Sequence, residues 1–102
     1  MSSTKELTAP EIKQKPKTTS PKKYQVVLLN DDYTPMDFVV RILESIFYLS
    51  PSEATTVMLA VHKKGRGVAG IYNKQVAESK CHIVTEIAKK AGYPLQAISE
   101  EI

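Results

Sequence analysis

The chain is poor in several features, and each shortage excludes a class of protein. Its 102 residues include a single cysteine, Cys81, so we expect no internal disulfide and a reducing compartment, the cytoplasm. No apolar run approaches the roughly 18 residues of a membrane span, and the first residues lack the apolar stretch of a signal peptide. No glycine-rich phosphate-binding loop is present. The remaining composition, 42% apolar and 25% charged, is that of one globular domain.

Positive charge is also scarce outside the N-terminal segment. Residues 1–23 hold six lysines and two glutamates, whereas residues 24–102 hold eight basic and nine acidic side chains. The domain therefore has no basic excess with which to bind nucleic acid. Residues 1–22 contain three prolines and few apolar side chains, which predicts a disordered arm before a single domain over residues 23–102. That arm is either a solvated extension or a segment that reaches into a partner.

After the arm, short apolar runs alternate with amphipathic stretches. Apolar and β-branched runs predict strands at residues 24–29, 68–72 and 95–99. Helical spacing of apolar residues predicts two helices after the first strand and one after the second. The order β-α-α-β-α-β indicates an α+β fold, in which three helices pack on one face of a three-stranded antiparallel sheet.

The helix boundaries carry capping chemistry. The first helix is predicted to have Thr34 as its N-cap, Pro35 as its first residue and Asp37 at the third position. The same order repeats at residues 50–53, and Gly65 is expected to end that second helix. In the third helix we expect five apolar side chains to face inward: Val76, Ala77, Ile83, Val84 and Ile87.

Two segments combine polar and apolar groups, the turn at residues 30–36 and the helix end at residues 58–62. Asn30, Asp31 and Asp32 supply oxygen acceptors suited to a primary ammonium, which has three donors, and His62 adds another acceptor when its ring is neutral. Apolar side chains that could line a slot beside them are Met36, Val39, Met58 and Leu95. An apolar slot with an anionic mouth fits the N-terminal residue of a protein.

The same residues also have purely structural interpretations. An Asn-Asp-Asp sequence after a strand commonly forms a turn that caps a helix. Met36 and Met58 are residues that often fill gaps in a core. His62, near a helix C-terminus, interacts favourably with the helix dipole. Spacing alone leaves these alternatives open beside the ammonium site.

Residues 24–102 closely resemble the ClpS family, the adaptors of the bacterial Clp protease. The resemblance rests on three blocks with matching spacing: Leu29–Val39, Met58–His62 and Val76–Lys80. It implies a non-enzymatic adaptor that binds proteins with N-terminal Leu, Phe, Tyr or Trp and delivers them to the hexameric unfoldase ClpA or ClpC, coupled to the ClpP peptidase. It implies no cofactor, no metal, no nucleic acid and no membrane, and a monomer is expected.

The resemblance also implies roles for individual residues. The α-ammonium is held by Asn30, Asp31 and His62. The side-chain pocket is shaped by six residues: Thr34, Met36, Val39, Met58, Val61 and Leu95. Met36 resembles a gatekeeper that rejects Ile and Val, because branching at Cβ widens a stiff side chain, and Asp32 supports the turn. Docking on the unfoldase is implied for Tyr33 and Lys80, while Gln75 stands where some relatives carry a glutamate.

The residues give less support to three other functions. A hydrolase would need a nucleophile and a base, but Cys81 and His82 are adjacent on a helix and point to different sides. A metal site from Asp31, Asp32 and His62 lacks recognisable ligand spacing. The serious alternative is an interaction module of another kind, since the element order also resembles the C-terminal domain of the ribosomal stalk protein. The turn from Asn30 onward discriminates between them, because a stalk domain needs no ammonium site.

Overall fold

The first apolar run of the chain forms the central strand of the sheet. In the computed structural model, which describes residues 21–102, β1 (Tyr24–Leu29) pairs antiparallel with β2 (Arg66–Tyr72) and with β3 (Gln96–Glu101). The three helices are α1 (Met36–Ile46), α2 (Pro51–Lys64) and α3 (Lys74–Ala91). The predicted α+β fold and its element order are confirmed. β2 begins two residues earlier than predicted, and β3 begins one residue later.

The helices cover one face of this sheet. Val26 and Leu28 on β1 are fully buried in the core to which all three helices contribute. Val27 points to the opposite face, as the alternation of a strand requires. Its partners on the flanking strands, Val68 and Ile98, are partly exposed to solvent. The core therefore lies between the helices and the inner face of the sheet.

The boundaries of α2 follow the predicted chemistry. The Ser50 hydroxyl accepts from the backbone N–H of Glu53 at 3.1 Å, and the Glu53 carboxylate accepts from the N–H of Ser50 at 2.9 Å. Gly65 follows the helix with φ 89°, a left-handed conformation that favours glycine, and its N–H donates to the carbonyl of Val61. The second helix is thus fixed at both ends by local sequence.

The start of α1 differs from the prediction. The residue before the helix is Pro35, which provides no side-chain cap, and the helix begins at Met36. Thr34 does not cap it, because it lies one residue before the N-cap position, and its hydroxyl donates to the Asp31 carboxylate at 2.8 Å. The threonine therefore closes the turn before the helix instead of capping the helix itself.

α3 buries a narrower face than predicted. The side chains of this helix that are buried in the core are Ala77, Val84 and Ala88. Three residues that were predicted to face inward remain between 36% and 42% exposed: Val76, Ile83 and Ile87. Both sets follow helical spacing, and they lie on adjacent stripes of the helix. The stripe with small side chains faces the sheet, and the bulkier one borders solvent.

The junction between the predicted arm and the domain is tied to β3. Residues 1–20 of the arm predicted at residues 1–22 lie outside the described residues. The Lys22 ammonium lies 3.1 Å from the Glu101 carboxylate. The backbone N–H of Ile102 donates to the carbonyl of Lys23 at 2.9 Å. The chain is therefore anchored to the sheet before β1 begins.

Candidate functional site

The two candidate segments meet where β1 ends and β2 begins. Antiparallel pairing sets Leu29 opposite Arg66, so the residue after β1 lies beside the residue before β2. The backbone N–H of Asn30 donates to the carbonyl of Gly65 at 3.0 Å. Gly65 directly follows α2, whose last turn carries His62. The sheet pairing therefore holds the asparagine–aspartate turn against the end of α2.

A cavity of about 370 Å³ lies between this turn, the start of α1 and the second half of α2. That volume is within the range of small-molecule sites, roughly 300–1,000 Å³. The cavity is lined by Asn30, Asp31, Asp32, Tyr33, Thr34, Pro35, Met36, Val39, Met58, Val61 and His62. The structure thus brings together all three residues predicted to hold the amine and five of the six predicted to shape the pocket.

Asp31 holds the turn in its folded shape. Its Oδ1 accepts from the backbone N–H groups of Tyr33 at 2.8 Å and Thr34 at 2.7 Å, and its Oδ2 accepts from the Thr34 hydroxyl. Partial burial raises the pKa of Asp31, but these hydrogen bonds outweigh it and hold that pKa below its ordinary value. The carboxylate is therefore charged at neutral pH, and it retains lone pairs for a cationic donor.

The cavity is polar at its mouth and apolar at depth. Asn30 and Asp32 are exposed to solvent on the turn, and His62 is exposed on the last turn of α2. Val39 and Val61, in contrast, are only 5% and 3% exposed. A charged group keeps access to water and acceptors at the mouth, whereas an apolar group loses contact with water further in. The arrangement suits a ligand with a cation at one end and a hydrocarbon group next to it.

Two methionines border the cavity from different helices. Met36 is the first residue of α1 and is 46% exposed, while Met58 is half-buried on α2. Methionine side chains are unbranched and adaptable, so they can close around hydrocarbon groups of different shape. Because Met36 is exposed, its side chain lies at the rim, where a gate would act. Its role as a gatekeeper stays a prediction.

The predicted pocket and the observed cavity differ at three residues. Leu95, predicted to shape the pocket, is not among the described residues that line it; it is 2% exposed in the core cluster that also contains Val39 and Val61. Its influence on the cavity is therefore indirect. Tyr33 and Pro35 line the cavity without having been predicted to do so. Their place within the same turn was the available signal.

The residues predicted to dock on the unfoldase do not lie together. Gln75 and Lys80 share one surface of α3. The Lys80 ammonium also donates to the carbonyl of Ile46, at the C-terminal end of α1. Tyr33 instead precedes the N-terminal end of α1 and lines the cavity. The first two residues share a surface of α3, and the docking role implied for Tyr33 stays a prediction.

A second concavity, of about 480 Å³, lies between the first half of α2 and the free edge of β2. Its walls are largely apolar, with Val57 on the helix and Val68 and Ile71 on the strand. Among the described residues, its lining includes one carboxylate, Glu53, which already accepts from the N–H of Ser50. This concavity offers no group of acceptors for an ammonium, so the cavity at the turn is the candidate site.

The structure also bears on a nucleophilic cysteine, a metal site and a membrane span. Burial, and then the nearby charge of Glu78, raises the pKa of the Cys81 thiol, so the thiol stays protonated and weakly nucleophilic at neutral pH. Within residues 21–102, no group of three or more His, Cys, Asp or Glu side chains could hold a metal ion. Over that same part of the chain, no helix is long and apolar enough to cross a membrane.

Three comparisons with known proteins agree. Residues 19–98 match the family model described as ATP-dependent Clp protease adaptor protein ClpS. The ATP-dependent Clp protease adapter protein ClpS of Herminiimonas arsenicoxydans is 48% identical over 91 residues, 89% of each chain. That of Xanthomonas oryzae pv. oryzae is 52% identical over 87 residues, 85% of this chain and 82% of the other. The structure of Agrobacterium tumefaciens ClpS2 bound to L-phenylalaninamide matches with a TM-score of 0.79 and 38% identity, over 81% of this chain and 100% of that one.

Proposed function

The chain belongs to the ClpS family of ATP-dependent Clp protease adaptor proteins, and we propose that it selects client proteins by their N-terminal residue. It binds a free α-amino group together with a Leu, Phe, Tyr or Trp side chain, and it delivers the client to ClpA or ClpC for degradation by ClpP. The observation that carries the proposal is the single cavity with acceptors at its mouth and buried valines at depth. The match to the family leaves the ribosomal stalk alternative without support.

The mouth of the cavity suits an α-ammonium group. This group has three N–H donors, and the mouth offers the Asn30 amide oxygen, the Asp31 carboxylate and the His62 ring, whose unprotonated nitrogen can accept. An α-amino group has an ordinary pKa of about 7.7–8.0, so most of it is charged at neutral pH. The charged Asp31 side chain then makes a charge-assisted hydrogen bond, the stronger kind. Asp32 supports the turn from its exposed position.

The depth of the cavity suits the first side chain of the client. Thr34, Met36, Val39, Met58 and Val61 surround it, and the last three contribute hydrocarbon surface below the rim. Burying a Leu or Phe side chain contributes roughly 1.5–3 kcal/mol. Hydrogen bonds to a charged group contribute about 1.5–3 kcal/mol each. After the entropic cost of association, these sums are compatible with an affinity near about 1 μM.

The ligand of the Agrobacterium relative supports this assignment. L-Phenylalaninamide is a phenylalanine with a free α-amino group and an amide in place of the carboxylate. It therefore has the same groups as the first residue of a protein that begins with phenylalanine. The related fold, with 38% sequence identity, supports extending this chemistry to the present chain.

Delivery requires a second surface on the adaptor. We assign docking on the N-terminal domain of ClpA or ClpC to the α3 surface that contains Gln75 and Lys80. The adaptor acts without catalysis or a cofactor, as a monomer in the cytoplasm, where the unfoldase and peptidase carry out the chemistry. Binding and docking use different parts of the fold, so a client and the unfoldase can be held at the same time.

Calorimetric titration with a Leu-initiated peptide and with its N-acetylated twin tests the proposal. Acetylation removes the charge and two of the three donors but leaves the leucine side chain unchanged. We expect affinity near about 1 μM for the free peptide and at least about hundredfold weaker binding after acetylation. Equal affinity for the two peptides would show that the cavity does not recognise an α-amino group.

A further inference from the structure

One aromatic side chain beside the site is not used by the fold. The Tyr33 ring is 77% exposed, although the residue forms part of the cavity wall. Its backbone is held in place, because its N–H donates to the Asp31 carboxylate. Within residues 21–102 its ring has no aromatic or cationic partner, and its phenol makes no hydrogen bond. A tyrosine loses little conformational freedom on contact, so it is well suited to bind a ligand.

Tyr33 is well separated from the α3 surface assigned to docking. Lys80 contacts the last residue of α1, whereas Tyr33 lies three positions before its first residue, Met36. The 11 residues of α1 span about 16 Å at 1.5 Å per residue. A docking contact centred on Lys80 therefore lies at the opposite end of α1 from Tyr33. The ligand of the cavity, in contrast, is adjacent to Tyr33.

The chain of a bound client has to emerge from the cavity at its mouth. Its α-ammonium is held there and its first side chain points inward, so its second residue lies at the mouth, which the turn and the end of α2 border. Consecutive Cα atoms are about 3.8 Å apart, which keeps the second residue close to the groups that hold the α-ammonium. Tyr33 follows Asp31 by two positions in that turn. Its ring is therefore placed to meet the second side chain of the client.

We propose that Tyr33 forms a second subsite, which contacts the side chain of the client's second residue and favours an aromatic one. This inference rests on the proposed function, since it needs the first residue to occupy the cavity. Aromatic rings prefer edge-to-face or offset contact, and such a pair changes affinity by about two- to tenfold beyond simple burial. The subsite makes selection depend on two residues of the client instead of one.

The test uses two free peptides that differ only at the second position, Leu-Trp and Leu-Gly, titrated into the full chain by calorimetry. The measured quantity is the ratio of their affinities. We expect this ratio to fall by about two- to tenfold in Tyr33→Ala and to be retained in Tyr33→Phe, which keeps the ring. Tyr48→Ala is the matched control, because Tyr48 is 81% exposed and does not line the cavity; it should keep the wild-type ratio.

The outcomes separate this inference from the proposed function. An unchanged ratio in Tyr33→Ala, or an equal fall in Tyr48→Ala, overturns the second subsite. If the Leu-Gly peptide binds the wild-type chain no better than its N-acetylated twin, the proposed function itself fails, whatever the ratio. A fall in the affinity ratio in Tyr33→Ala, together with discrimination against the acetylated peptide, supports both the second subsite and the proposed function.

Discussion

The Lys80 ammonium donates a 2.7 Å hydrogen bond to the backbone carbonyl of Ile46, the last residue of α1. The same nitrogen lies 5.2–5.7 Å from the ring centres of Phe47, Tyr48 and Tyr72. Tyr48 has φ 55°, a left-handed conformation uncommon for a residue other than glycine. Lys80 therefore stabilises the end of α1 and the turn into α2, besides the docking role implied by the family.

Lys80→Ala should destabilise the fold. It removes a hydrogen bond from a charged donor and the cation–π contacts, which together predict a loss of about 1–3 kcal/mol in the free energy of unfolding. Urea denaturation measures this loss. Lys74→Ala, an exposed lysine at the start of the same helix, should change stability by less than about 0.5 kcal/mol. Equal stability of Lys80→Ala and wild type would leave only a docking role for this lysine.

Asp31→Asn should separate the charge of the site from its shape. The asparagine oxygen can still accept from the backbone N–H groups of Tyr33 and Thr34, so the turn is retained. We expect the affinity for a free Leu-initiated peptide to fall at least about tenfold, because a charge-assisted hydrogen bond is lost. Asp32→Asn removes the same charge from the same turn, and calorimetry should show a smaller effect. Equal losses in both variants would indicate a general electrostatic effect.

The depressed pKa of Asp31 also predicts how stability depends on pH. The unfolded carboxyl has an ordinary pKa of about 3.9, above that of the folded state. Its stabilising contribution is therefore present above about pH 4 and is lost as the pH falls through the folded pKa. The stability of wild type, measured by thermal unfolding, should accordingly fall more steeply below about pH 4 than the stability of Asp31→Asn.

The meeting of the two candidate segments was predictable from the order of the elements. α2 passes directly through Gly65 into β2, so any antiparallel pairing of β1 with β2 at this end brings Asn30 to the end of α2. The sequence indicates both features: the short apolar runs predict the two strands, and a clear glycine cap marks the end of the second helix. The polar residues of the site come together for the same reason.

Other features depend on competition that local patterns do not reveal. Thr34 fits an N-cap pattern, but the helix begins one residue later than that pattern predicts, and the Thr34 hydroxyl donates to Asp31 within the turn. Ile83 and Val84 both follow helical spacing, and only close packing of small side chains on the sheet decides which one is buried. The Lys80–Ile46 contact joins residues 34 positions apart, so nothing in the local sequence indicates it.

Met36→Ala should broaden the choice of the first residue. Met36 lies at the exposed rim of the cavity, so its loss widens the entrance while the core remains intact. Ile- and Val-initiated peptides, which are broad at Cβ, should gain affinity relative to the Leu-initiated peptide. A titration panel measures the ratio, and Leu59→Ala, outside the cavity on α2, should leave it unchanged. If Met36→Ala still rejects Ile- and Val-initiated peptides, Met36 is not the gatekeeper.

Deletion of residues 1–20 should separate binding from delivery. The deleted segment carries four lysines and two glutamates, and the anchor between Lys22 and Glu101 is retained. We expect peptide affinity within about twofold of wild type, because the cavity is built from residues 30–62. Degradation of a Leu-initiated client by the unfoldase and peptidase should be impaired. Full degradation with the truncated adaptor would show that the arm is only a solvated extension.

Gly67→Ala should weaken peptide binding although Gly67 does not line the cavity. A Cβ at this position on β2 would lie 2.9 Å from the Val57 carbonyl oxygen and 2.9 Å from a Val61 methyl group. The carbonyl belongs to the backbone of α2, so α2 and β2 have to move apart at this point. The same helix carries Met58 and His62, and their shift would misalign both the pocket and the mouth.

We expect Gly67→Ala to lose about 1–3 kcal/mol of stability, as over-packed cores do, and to lose affinity for the free Leu-initiated peptide as well. Gly70→Ala is the matched control on the same strand, since the three atoms nearest its Cβ would all belong to the Tyr72 side chain. It should lower stability and leave affinity unchanged when both are measured below the unfolding transition. If the two variants bind the peptide equally well, the spacing between β2 and α2 does not set the geometry of the site.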